Sequence, residues 1–106
     1  MEIEYPYAPL SEDEARGRLE TLGKYLTNRH GIAVTWLDPS RAKFSGKYLV
    51  VKIEGELSMG NGKARFKGQD PGFLWRKRAE DYIREKLAYY LDPKNPLASL
   101  PTKKDG

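Results

Sequence analysis

Hydrophobic residues repeat along this chain with two different periods, and the changes between them mark out its elements. Ala15, Leu19, Leu22 and Leu26 recur at four, three and four residues, one apolar stripe on a helix predicted over about 12–29. Ser11 with Glu14 three residues on forms a capping box, and Glu12, Asp13 and Glu14 put negative charge at the positive end of the helix dipole. Gly31 can take the left-handed conformation that ends a helix, with Ile32 as the apolar contact beyond it. The period then drops to two. Ile32, Val34 and Trp36 share a face, "DPS" at 38–40 is turn chemistry, and Arg41–Ser45 returns with Ala42 and Phe44 on one side.

Ser45-Gly46 is read as a reversal into a long strand whose apolar face is Leu49, Val51, Ile53, Leu57 and Met59, with a bulge or bend at Gly55. Its other face, Tyr48, Val50, Lys52, Glu54, Glu56 and Ser58, is mostly polar. "GNG" at 60–62 supports a tight turn, so Lys63–Lys67 returns with Ala64 and Phe66 inward and Lys63, Arg65 and Lys67 outward. Such a sheet needs a cover on its apolar face. A second helical period, from Pro71 through Phe73, Leu74, Ala79, Tyr82, Ile83, Leu87 and Tyr90 to Leu91, completes it, and Asp92-Pro93 stops the helix. The expected fold class is α+β, in the order α-β-β-β-β-α, with a four-stranded antiparallel sheet covered on one face by two helices. Residues 1–10, with Pro6 and Pro9, are expected as an extended arm, 11–92 as the single domain and 93–106 as a flexible tail containing prolines and lysines.

Length agrees with one domain, since 106 residues leave no room for a second core. The absence of cysteine removes disulfides, thiolate nucleophiles and cysteine zinc sites, and neither a secretory leader nor a membrane-spanning run is present, so a cytoplasmic setting is expected. Net charge is +4, but residues 41–68 hold seven bases against two acids while 1–31 hold four against six. The positive field therefore belongs to the strands.

Candidate chemistry is sparse. His30, the only histidine, stands at a helix end where a cation suits the dipole, and no cysteine or serine motif makes it half of a dyad. Glu54 and Glu56 lie two apart on one strand face, which among lysines reads as cross-strand pairing more readily than as a catalytic carboxylate pair. No metal-ligand spacing and no glycine-rich phosphate loop occur, so neither a cofactor nor an enzymatic activity is expected. Two binding surfaces stand out. "GFLWRKR" at 72–78 puts Phe73 and Trp75 beside Arg76, Lys77 and Arg78, with the helix around Tyr82–Tyr90 continuing from it. Trp75 and Leu74 are expected on the sheet, and any exposed remainder can dock an apolar surface rimmed by anions or a second copy of the chain. The alternative is a nucleic-acid site on the sheet, using Lys43, Lys52, Lys63, Arg65 and Lys67 with Tyr48 as a stacking platform.

Over Ala15–Leu91 the chain resembles the polyhydroxyalkanoic acid system proteins, small bacterial proteins found with the genes for storage-polyester granules. The resemblance rests on "ARGRLETLGKYL", "GIAVTW", "KFSG", "KARFKG" and "GFLW". The chain departs from the family pattern in its longer "GELSMGNG" hairpin, the inserted "QDP", the arm and the tail. The resemblance implies an accessory role with a granule surface or a granule-associated protein as partner, and homo-oligomers are compatible with it. It brings no active-site residues to carry over.

Overall fold

The computed structural model describes residues 1–48 and 51–103, with Tyr48 described by its backbone alone. The expectations for Leu49, Val50 and the Tyr48 ring, and for residues 104–106 of the tail, lie outside the described residues. The elements in chain order are β1 (Glu2–Pro6), α1 (Glu12–His30), β2 (Ala33–Asp38), β3 (Arg41–Tyr48), β4 (Val51–Gly60), β5 (Lys63–Gly68), α2 (Phe73–Tyr90) and a single 3₁₀ turn at Leu97–Ser99. The fold is α+β with one antiparallel sheet, and the sheet has five strands in the order β1-β5-β4-β3-β2 instead of four. The fifth is the expected arm. Ile3 is buried and pairs with Phe66, while Glu2 and Glu4 face Lys67 and Arg65 across β5, so both faces of the segment favour docking at that edge.

Helix α1 starts and stops as its sequence implies. The Glu14 N–H donates to Ser11 Oγ at 3.1 Å, and the Ser11 hydroxyl donates to Glu14 Oε1 at 3.1 Å. Gly31 sits at φ 69°; its N–H reaches Thr27 O, that of Ile32 reaches Leu26 O, and Ile32 is buried. This is a Schellman ending, which needs a residue free to adopt positive φ.

The sheet's inner face is built in rows. Trp36, Ala42, Leu57, Phe66 and Ile3 stand opposite one another from β2 across to β1, and α1 and α2 close over them. Two expectations change here. Strand β3 runs straight through Ser45-Gly46 to Tyr48, with Gly46 opposite Ile53, because extended backbone pairs there without interruption. Gly55 is not a bulge: pairing runs unbroken through it, and its missing side chain makes room for the Phe66 ring. A Cβ at Gly55 would lie 2.8 Å from both Phe66 Cζ and Lys67 O.

The tail also packs. Tyr90 Oη donates to Pro101 O at 2.6 Å, Asn28 Nδ2 donates to Thr102 O at 2.6 Å, and Leu100 is buried. Apolar spacing offered no sign of this, because one leucine carries the contact. Arg18, on the buried side of α1, donates from Nη1 to Tyr90 O at 3.1 Å and Asp92 O at 2.9 Å, satisfying carbonyls at the end of α2.

Candidate functional site

The first turn of α2 leaves two large apolar side chains in water. Phe73 is 80% exposed and Leu74 78%. Leu74 was expected on the sheet, but its helical face is shared with Lys77, Arg78 and Asp81, and the stripe that turns inward is Trp75, Ala79, Ile83 and Leu87. Trp75 is half-buried.

The neighbouring cations are occupied in three different ways. Arg76 donates from Nε at 3.1 Å and Nη2 at 2.6 Å to Asp70 Oδ2, while Asp70 Oδ1 accepts the Gly72 N–H at 2.8 Å. The Arg76 hydrogen bonds, followed by the Gly72 N–H, hold the Asp70 carboxyl below its ordinary range. Lys77 pairs with Asp81 at 3.4 Å, and the Arg78 guanidinium lies over the Trp75 ring at 5.5 Å. Arg76 therefore helps start the helix, and Phe73 and Leu74 are the freest members of the patch.

Beneath the same helix runs an apolar cavity of about 200 Å³. Its α2 wall is Trp75, Arg78, Ala79, Tyr82, Ile83, Lys86 and Leu87, facing Leu22 and Leu26 of α1 and Ile53 and Leu57 of β4. His30, Tyr82 and Lys86 bring polarity to it at the end of α1. His30 Nε2 and Tyr82 Oη are 2.9 Å apart, and Lys86 Nζ lies 4.7 Å from the Tyr25 ring centre and 5.5 Å from that of Tyr82. Burial first, then the charges of Arg29 and Lys86, lower the His30 pKa, so the imidazole is neutral at pH 7. Sequence reasoning gave His30 only a helix-end role and sorted the other residues into core and surface. The readable sign was Lys86, a cation inside the apolar stripe of α2.

The outer sheet face collects the candidate nucleic-acid residues without separating them from acids. Lys43, Glu56, Lys67 and Glu2 stand opposite one another in sequence across four strands, so their charges alternate. Arg65 reaches Glu4 at 3.1 Å and Glu2 at 3.7 Å, and Lys52 reaches Glu54 at 3.4 Å. Lys63 stands opposite Pro6 on β1. Arg41 lies 3.8 Å from Glu56, so both glutamates of the suggested carboxylate pair have basic partners. Among the described residues no group of three acidic or histidine side chains could hold a metal ion, and no helix is long and apolar enough to cross a membrane.

The model of one protein family, described as "putative polyhydroxyalkanoic acid system protein", matches residues 7–94. No curated protein and no solved structure matches the chain.

Proposed function

Because the chain belongs to the polyhydroxyalkanoic acid system protein family, we propose that it is a non-catalytic accessory protein of the bacterial cytoplasm that attaches to storage-polyester granules through the first turn of α2. The observation that carries this reading is the exposure of Phe73 and Leu74, 80% and 78%, side by side at a helix start. Removing such side chains from water is worth about 1.5–3 kcal/mol each, so an apolar surface rewards contact at this place. Arg78 and Lys77 beside them suit a surface that carries anions at its rim.

The nucleic-acid reading finds less support, because the bases it needs alternate with Glu2, Glu54 and Glu56. Co-sedimentation with washed polyester granules across a salt series tests the proposal. The wild type should remain bound at high salt, the Phe73→Ser/Leu74→Ser double variant should lose most of its retention while keeping its circular dichroism spectrum, and a Lys63/Arg65/Lys67 triple alanine should behave like the wild type. Failure of the folded wild type to sediment with granules would overturn direct attachment.

A further inference from the structure

The geometry points to a second, internal site: the cavity under α2 binds one linear medium-chain carboxylate, with the chain between α2 and the sheet and the carboxylate against Lys86. Shape comes first. Lining residues on α2 run from Trp75 to Leu87, about 18 Å at 1.5 Å per residue, and others reach across the sheet from Met1 through Phe66 to Phe44, whereas the volume is only about 200 Å³. A space that long and that small is a slot, which a linear chain fills better than a compact ring. A cavity of roughly 150 Å³ holds one benzene molecule, so this one accommodates about eight carbons.

Chemistry selects the head group. Most of the lining is aliphatic or aromatic; its polar members are the cluster of His30, Tyr82 and Lys86, then Arg78, whose guanidinium lies over the Trp75 ring, and Lys52, Glu54 and Gln69 on the sheet side, so the pocket is apolar with a few polar groups. Lys86 is half-buried, and among the described residues no carboxylate comes within ion-pair distance of it; its ammonium rests on the Tyr25 and Tyr82 rings. A partly desolvated cation at an apolar wall favours an anion over a neutral head group. Glu54, the acid that also lines the slot, is already paired with Lys52 at 3.4 Å. Burial is the first cause of the lowered His30 pKa, and the charges of Arg29 and Lys86 add to it.

Octanoate is the probe, with octanol as the matched neutral chain, followed by amide shifts in heteronuclear NMR below octanoate's micelle concentration. The expected result is saturable binding of one octanoate per chain, with shifts along α2 and the facing part of α1. Octanol should bind at least about tenfold more weakly, and Lys86→Gln should lower octanoate affinity by a similar factor. Ala79→Phe, which fills the slot, should abolish binding; if that variant loses its native dichroism, Ala79→Leu provides the same block with less added volume. Because neither Phe73 nor Leu74 lines the slot, the Phe73→Ser/Leu74→Ser variant should bind octanoate as the wild type does, which separates this site from granule attachment. The assignment is overturned by absence of saturable binding to the folded wild type, by equal affinity for octanol and octanoate, or by full octanoate affinity in a folded Ala79→Phe or Ala79→Leu variant.

Discussion

Phe66 is held by two absences of side chain. Cβ atoms at Gly55 and Gly68 would come within 2.8 and 2.7 Å of its ring, and the one at Gly55 would also press on the backbone oxygen of Lys67, which cannot swing aside. Gly55→Ala should therefore cost about 1–3 kcal/mol, read as a lower urea midpoint with an unchanged slope. Phe66→Leu in the same chain should recover only part of that loss, since the clash with Lys67 O remains. Arg18 is a residue of a different kind, a buried cation whose contacts are main-chain carbonyls at the end of α2. Replacing it with methionine keeps much of the apolar stem but removes two charged hydrogen bonds to main-chain carbonyls, so Arg18→Met should destabilise by about 1–3 kcal/mol in the same measurement. No helical period distinguishes such an arginine from a solvated one, because the partner lies seventy-odd positions away.

At the scale of elements, one of the contacts between α1 and α2 is sensitive to the protonation of a ring. His30 and Tyr82 are 2.9 Å apart, and burial keeps the His30 pKa below its value in the unfolded chain. The unfolded chain therefore binds the proton more readily. Stability is fully present above about pH 6.5 and falls as pH drops from there through the lower folded-state value. Because His30 is the only histidine, His30→Gln should flatten this limb of the stability curve and leave the carboxylate region below it unchanged; persistence of the limb in His30→Gln would refute the assignment. Strand β1 is the other dependent element. It supplies Ile3 to the core and covers the edge of β5, so removing residues 1–6 should lower the thermal midpoint and promote association through the bared edge, seen by light scattering.

For the whole molecule, a positive net charge does not amount to a positive face. The strands carry the excess of bases, yet the register sets Lys43, Glu56, Lys67 and Glu2 in alternation and turns Arg65 between Glu2 and Glu4. Such exposed pairs add little stability, but they neutralise the field a polyanion would meet. Binding of single-stranded DNA should accordingly be weak. A log-log salt slope near −3.5, five phosphate contacts at roughly 0.7 each, would show instead that Lys43, Lys52, Lys63, Arg65 and Lys67 act together.

Much of this architecture was legible in local pattern. A capping box, a Schellman glycine, a stripe at helical period and alternation at period two are short-range consequences of backbone geometry, so Ser11, Gly31, the α1 leucines and the inward row through Leu57 and Phe66 could be assigned from neighbours in the chain. What a strand or helix touches is a long-range matter. The pairing of β1 with β5, the return of Leu100 to the core and the alternation of charge on the outer face each require two segments to meet. The slot is the clearest case: its apolar residues read as ordinary core positions on α1, β4 and α2, and only the way α2 lies across the sheet leaves space between them. Packing distance between elements, which no periodicity encodes, separates a filled core from a cavity.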